Sequence, residues 1–270
     1  MSKSFRALLI EALREFSTRG YVSESDLQQW TARLHAMIES ELPTDEESRE
    51  VLAGILGSVY AREYRSGIAR RVPGVSRYTL DRVAPHLRAE LDKRIFASAD
   101  LIRIRKKETV EKTLARFSGW ASSQPAAGTF DFSPRALSKQ ITKDLVSFKF
   151  ERRRVATDQG HKMSANVAHT VALGEGAIAC IWHDRGSEDH NYDARPIHLA
   201  RSGKLFLLKE SWAMAEGLIR RGSSPYYDDI EPVAYLPYCS CYAEFIVHLQ
   251  DLPEILLTKK GREYIRPAVA

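Results

Sequence analysis

Histidine and cysteine side chains are concentrated in two short stretches of the C-terminal half of the chain. The first, IWHDRGSEDHNYDARPIHLARSG (residues 181–203), holds three of the eight histidines, and the second is YCSCY (residues 238–242). Zinc binds imidazole nitrogen together with thiolate sulphur, so His198, Cys239 and Cys241 form a candidate zinc site. The fourth ligand would be His183, His190 or Asp193.

The same residues can also be interpreted without a metal. The C-x-C spacing is less typical of zinc sites than C-x-x-C, and free cysteine is often a small core residue. Cys239 and Cys241 would then be buried among apolar side chains, while the histidines pair with carboxylates. We favour this interpretation and predict no resident cofactor, with zinc at His198, Cys239 and Cys241 as the alternative.

Asp189-His190-Asn191 followed by His198 suggests a second kind of chemistry. It is similar in residue type to the His-Asn-His pattern of metal-dependent nucleases, in which histidine activates water and a cation stabilises the phosphate. That pattern needs a helix carrying a metal ligand after the hairpin. Here LARSGKLFLL follows His198 and predicts a turn and a strand. A nuclease is therefore kept as an alternative, and we predict no catalytic residues.

The favoured interpretation of the first stretch is architectural. Asp193 and Arg195 would form a charge-assisted pair that fixes the loop, and His198 would donate to a carboxylate or a backbone carbonyl. Trp182 would pack beneath the loop as a large apolar anchor. Gly203 would supply the positive φ for the turn into the next strand.

Composition places the chain among folded proteins. It has 270 residues, of which 44% are hydrophobic and 28% charged, with a net charge of +5. No apolar run is long enough to span a membrane, and the N-terminus has no signal-peptide pattern, so no membrane contact is expected. The three cysteines include two separated by a single residue, which is too close for an ordinary disulfide. We expect synthesis in a reducing cytoplasm.

Helical periodicity dominates the first 117 residues, and extended patterns appear after residue 176. Apolar spacing predicts helices over residues 4–17 and 23–40, from 45 to before Pro73, and from 80 toward 120, with Pro85 in a first turn or at a kink. Ser4, Ser23 and Ser133 are predicted N-caps. A helix that carries Leu137, Ile141 and Leu145 is expected after Ser133, and a further helix over 151–173. Four strands are predicted in AIACIWH, KLFLL, VAYLPY and CYAEFIVHL.

These elements predict an α+β fold: a helical N-terminal arm and a C-terminal domain whose helices pack on a small, mostly antiparallel sheet. We place the arm at 1–117, a Ser/Ala/Gly/Pro-rich linker at 118–133, the domain at 134–260 and a peripheral tail at 261–270.

The arm changes charge along its length. Residues 1–50 contain 6 basic and 10 acidic residues, whereas residues 51–116 contain 15 basic and 7 acidic residues. The basic half is either a solvated helix face or a contact surface for DNA or an acidic partner. The candidate contact residues are Arg62, Arg65, Arg70, Arg71, Arg103, Arg105, Lys106 and Lys107.

Four stretches, which hold five ordered motifs, resemble one family. RRRVATDQGHKMSANVA, GAIACIW, DARPIHLARSGKLF and EPVAYLPYCSCYAEFIV resemble the phage head morphogenesis domain of the Mu F-like minor head proteins. The resemblance covers residues 134–260. Thr157, Ser240 and the SEDHNY insertion depart from the family pattern. The residues that match it are Arg154, Ala156, Asp158, Gln159, Gly176, Trp182, Asp193, Arg195, His198, Gly203, Lys204, Pro237, Cys239 and Cys241.

The resemblance implies a structural protein and not an enzyme. It implies a minor head protein of a tailed phage or prophage, made in the bacterial cytoplasm and located in the virion, in the head interior or at the portal vertex. Its expected partner is the portal protein, with scaffold or major capsid protein and packaged DNA as further partners. The alternatives are a metal-dependent nuclease and a DNA-binding internal virion protein.

Overall fold

The computed structural model describes residues 4–125, 133–184 and 195–265. The chain forms two compact units. Unit 1 consists of Met1–Leu52 and Phe96–Val155, and unit 2 consists of Ala53–Ile95 and Ala156–Ala270. Unit 2 contains the sheet and both chemically interesting stretches of the sequence.

The described residues are mostly helical, and their strands form one small antiparallel sheet, which confirms the predicted α+β class. A π-helical turn, Glu63–Gly67, separates the third and fourth helices. The helices are α1 (Phe5–Arg19), α2 (Glu24–Glu41), α3 (Asp45–Arg62), α4 (Ile68–Arg71), α5 (Arg77–Ser122), α6 (Pro134–Ile141), α7 (Lys143–Glu175), α8 (Pro196–Arg201), α9 (Trp212–Ala215) and α10 (Lys259–Ile265).

Local capping signals set several helix starts as predicted. The hydroxyl oxygens of Ser4, Ser23 and Ser133 each accept a hydrogen bond from a backbone N–H of the first helical turn. At α3 the cap is reciprocal, because the Glu47 N–H donates to Thr44 Oγ1 and the Thr44 N–H donates to the Glu47 carboxylate. The sequence carries this signal as TDEE.

Three boundaries differ from the predictions. Residues 118–122, predicted as linker, continue α5, because Ala121 is buried in the core of unit 1 and Trp120 packs against it. The helix predicted over 151–173 begins at Lys143, and Pro85 lies inside α5, beyond its first turn. Helices α3, α5 and α7 contribute residues to both units, so the two units do not coincide with the predicted segments 1–117 and 134–260.

The core of unit 1 is built from amphipathic helices. Apolar side chains at helical spacing on α1 and α2 are buried together with residues of α5 and α6. Phe16 and Phe117 meet edge to face, with 5.8 Å between their ring centroids. The cluster comprises Phe5, Leu8, Leu9, Ala12, Leu13, Phe16, Trp30, Leu34, Ile38, Val110, Phe117, Ala121 and Ile141.

The sheet of unit 2 has the order β2-β1-β3, with both pairings antiparallel. The strands are β1 (Ala179–His183), β2 (Leu205–Leu207) and β3 (Tyr242–Ile246). Alternation along β1 buries both faces: Cys180 and Trp182 belong to a cluster with residues of α7, whereas Ala179 belongs to a second cluster with residues near α9 and the C-terminal turns. Its central position makes β1 the element that positions the site.

The third of the four predicted strands is wrong. Residues 233–238 (VAYLPY) form turns, and Ala234 and Tyr238 have positive φ values of 60° and 61°. The flanking Pro232 and the internal Pro237 have no backbone N–H to donate to a ladder. The apolar side chains of Val233 and Ala234 are nevertheless buried in the unit 2 core.

The segment predicted as a peripheral tail is anchored at its start. Helix α10 includes Gly261, which is buried. Thr258 directly precedes this helix, and both its N–H and its hydroxyl donate to the Leu218 carbonyl. A Cβ atom on Gly261 would overlap that same carbonyl oxygen. Only glycine therefore allows this close backbone approach.

We expect Gly261→Ala to lower the free energy of unfolding by about 1–3 kcal/mol or more, because a backbone carbonyl has to move. The matched control is Gly57→Ala in α3 of the same unit, where an added Cβ meets nothing within 4 Å. That control is expected to stabilise by up to about 1 kcal/mol through helix propensity. Urea unfolding of both variants measures the difference, and equal effects would contradict the close approach.

Burial lowers the pKa of His169, which lies on α7 with its ring centroid 5.9 Å from that of Phe245. The folded chain therefore binds this proton less readily than the unfolded chain, in which histidine titrates near about pH 6.5. The free energy of unfolding is therefore highest above about pH 6.5. It decreases as the pH falls from there toward the lower pKa of the folded chain, because only the unfolded chain then takes up the proton. His169→Phe should lose less stability than the wild type between about pH 7.5 and pH 5.5 in urea unfolding. Equal losses would contradict the assignment.

Candidate functional site

Two cysteines and one histidine from distant parts of the sequence meet in unit 2. The Sγ atoms of Cys239 and Cys241 lie 3.5 Å and 3.4 Å from Nδ1 of His198. All three side chains are buried, and their potential ligand atoms lie within 4.8 Å of one another. We call these residues the cysteine–histidine cluster. Among the described residues it is the group whose geometry suits a metal ion.

Helix α8 carries His198 into the cluster. Pro196 occupies the first turn, where its fixed φ suits a helix start and its missing N–H is not needed. The helix ends at a turn in which Gly203 has φ of 75°, and its N–H donates to the Trp182 carbonyl on β1. The turn thereby ties α8 to the sheet. Residues 196–201 are therefore helical before the turn, a helix that the sequence pattern does not predict.

The loop that carries the thiols, residues 237–241, is held from two sides. The Tyr238 N–H donates to Asp158 Oδ1 on α7 at 2.5 Å, and Arg195 Nη2 donates to the Pro237 carbonyl at 2.8 Å. Asp158 is itself buried and accepts a 2.7 Å bond from Lys162 through its other oxygen. The positive charge of Lys162 therefore balances the charge of the carboxylate that binds the loop.

Trp182 packs directly against the cluster. It is fully buried, and its ring meets that of His198 edge-on at 5.6 Å. The guanidinium of Arg201 lies over the indole at 5.2 Å and also donates to Glu231 at 3.0 Å. These contacts fix the orientation of both aromatic rings.

The two thiols ionise differently. The hydrogen bond from the Cys241 thiol lowers the pKa of Cys239 to about 6. Donating that bond raises the pKa of Cys241, as do its burial and the carboxylate of Asp184, whose Oδ1 lies 3.2 Å from Cys241 Sγ. The two pKa values shift in opposite directions because one thiol donates to the other.

The residues predicted from sequence separate into three groups. Trp182, Arg195, His198, Gly203, Cys239 and Cys241 come together. Asp193 and His190 lie outside the described residues, so the predicted Asp193–Arg195 pair and a fourth ligand from either residue stay predictions. His183 points elsewhere: its ring stacks on Tyr242 at 4.8 Å, and its Nε2 lies 3.3 Å from the Glu244 carboxylate.

Two carboxylates were missed by sequence reasoning as partners of the cluster. Asp158 was noted only as part of the resemblance, and Asp184 was not singled out. Asp184 directly follows β1, and a polar residue at the end of a buried strand is the signal that would have pointed to it.

The eight basic residues predicted as a contact surface for DNA or a partner are not all free to make such contacts. Arg71 is buried against Glu63 and lies over the ring of Tyr242, and Lys106 makes a 2.7 Å ion pair with Glu39. Four others have an acidic neighbour within 4 Å, and the eight are divided between the two units. Those four are Arg62, Arg103, Arg105 and Lys107.

The chain matches no protein-family model, no curated protein and no solved structure. The resemblance to the head morphogenesis domain therefore stays a prediction. Across the described ranges, no helix combines the length and apolarity needed to cross a membrane.

We expect Asp158→Ala to lower the free energy of unfolding by about 2–3 kcal/mol, because it leaves the partly buried Tyr238 N–H and Lys162 without their charged acceptor. The matched control is Asp229→Ala, whose half-exposed carboxylate makes a 3.5 Å contact with Lys209 and should change stability by less than about 0.5 kcal/mol. Denaturant unfolding distinguishes the two. If Asp158→Ala is as mild as the control, the Asp158–Tyr238 bond does not hold the loop.

Proposed function

We propose that this chain is a minor head protein of a tailed phage or prophage, with a structural role at the portal vertex during head assembly. The observation that carries the proposal is the bond between Asp158 and the Tyr238 N–H. These residues lie in the first and last motifs of the family resemblance, which are far apart in sequence. A shared tertiary contact explains why both motifs would occur in one protein.

The geometry favours a structural role over the nuclease alternative. His198 is 3% exposed, and its Nδ1 faces two thiols. A general base has to reach the attacking water, and this imidazole is enclosed by Trp182 and the cysteines. Trp182, His198, Cys239 and Cys241 contact one another, and Asp158 and Arg195 hold the loop that carries the thiols, as in a scaffold.

Unit 1 offers a surface for the portal protein. A groove of about 740 Å³ has an apolar floor that includes Phe5, Ile38 and Leu145. Around it lie Arg6, Lys139, Lys143 and Lys149, whereas the carboxylate of Glu41 accepts the Phe5 N–H.

Four cations beside an apolar floor suit an amphipathic segment with acidic residues. We propose that such a segment of the portal protein binds there, at the head interior or portal vertex. Contacts with scaffold or major capsid protein and with packaged DNA belong to the same proposal.

Co-expression with the portal protein of the same genome, followed by size-exclusion chromatography with light scattering, tests the proposal. We expect a salt-sensitive complex with fewer copies of this chain than of the portal protein. The charge reversal Lys143→Glu with Lys149→Glu should weaken the complex at least about tenfold, because both cations face the acidic segment. Lys112→Glu, an exposed lysine of unit 1 outside the groove, should leave it unchanged.

Other results would point to the alternatives. Absence of a portal complex, together with cleavage of plasmid DNA on adding a divalent cation, would favour the nuclease. A DNA affinity that falls steeply with salt, without cleavage, would favour a DNA-binding internal protein. In that case exposed Arg65 and Arg70 would be the first residues to replace.

A further inference from the structure

The distances in the cysteine–histidine cluster match those of a tetrahedral zinc site. With Zn–S near 2.3 Å and Zn–N near 2.0–2.1 Å, tetrahedral ligands place sulphur and nitrogen about 3.5 Å apart. The two Sγ–Nδ1 distances are 3.5 Å and 3.4 Å. These two distances therefore fit a single ion bound by all three atoms.

Both thiols lie close to one atom, Nδ1 of His198. A neutral imidazole nitrogen has one lone pair and accepts from one donor. Hydrogen bonding can satisfy the group only if one thiol uses that lone pair and the other donates elsewhere, as Cys241 can to Asp184 Oδ1 at 3.2 Å. A common cation accounts for both short sulphur–nitrogen distances with a single interaction.

Asp184 is the candidate for the fourth ligand. Its carboxylate lies beside the three-residue group and not within it, so its side chain would have to turn toward the ion. Its Oδ1 lies 3.2 Å from Cys241 Sγ, on the segment that leaves β1. Zinc accepts carboxylate oxygen beside sulphur and nitrogen, and four protein ligands close a structural site. His183, the adjacent candidate, is engaged with Tyr242 and Glu244.

The surroundings are those of a preformed site. Trp182 and Arg201 fix the ring of His198 from one side. Asp158 and Arg195 fix the backbone on which the thiols are carried. Such supporting contacts orient metal ligands and strengthen binding.

We propose that His198, Cys239, Cys241 and Asp184 bind one zinc ion, which joins the end of β1, helix α8 and the loop before β3. Sulphur and nitrogen ligands in a small tetrahedral set select zinc over magnesium or calcium. The role is structural, because His198, Cys239 and Cys241 are buried and the ligands come from three chain segments. The proposal is independent of the portal contact, so either can fail alone.

The test is zinc content of the full-length chain, purified without chelator and measured by inductively coupled plasma mass spectrometry. We expect about one zinc per chain. Cys239→Ser and Cys241→Ser should each retain less than about a tenth of it, since loss of a thiolate removes a ligand. The matched control is Cys180→Ala: Cys180 is buried on β1 within the sheet, and this variant should keep its zinc.

A second measurement covers variants that fail to fold. Wild-type chain stripped of metal and titrated with Co²⁺ should develop thiolate-to-cobalt charge-transfer absorption that saturates at one equivalent. Asp184→Asn should bind zinc at least about tenfold more weakly in competition with a chromogenic chelator. Wild-type protein with neither zinc nor the cobalt signal would overturn the site, and unchanged affinity in Asp184→Asn would overturn the role of Asp184.

Discussion

The hydrogen bond from the Tyr238 N–H to the Asp158 carboxylate is the contact on which the candidate site depends. Tyr238 has a positive φ, a conformation that a side chain other than glycine rarely adopts. The buried, charged acceptor compensates for that conformation because it binds the N–H strongly. It thereby holds Cys239 and Cys241 where both thiols meet His198.

Strand β1 places the rest of the site. It is the central strand, and its alternating side chains are buried on both faces, so its position in unit 2 is fixed by two cores. Its end delivers Trp182 and Asp184 to the cluster, and its backbone binds the turn after α8. A loop, a short helix and a strand end thus converge because the same strand anchors each of them.

Much of the fold could be predicted from local signals. The serine N-caps, the helical periods and the three true strands are properties of neighbouring residues, and they appear in the structure where the sequence places them. Residues 233–238 have the apolar composition of a strand but form turns. Pro232 and Pro237 have no backbone N–H with which to donate to a neighbouring strand. Residues 118–122, predicted as the start of the linker, are instead helical. Their composition is typical of a linker, but burial of Ala121 in a core extends α5 through them.

The sequence by itself determined most of the helices and three strands, and it singled out His198, Cys239 and Cys241 as a group. Only the tertiary structure decided which carboxylates join them and which basic residues are available. Asp158 and Tyr238 are 80 residues apart, and Cys241 and Asp184 are 57 apart. Contacts over such separations depend on how α7 and β1 pack, and packing is a property of many residues together, which no local pattern records.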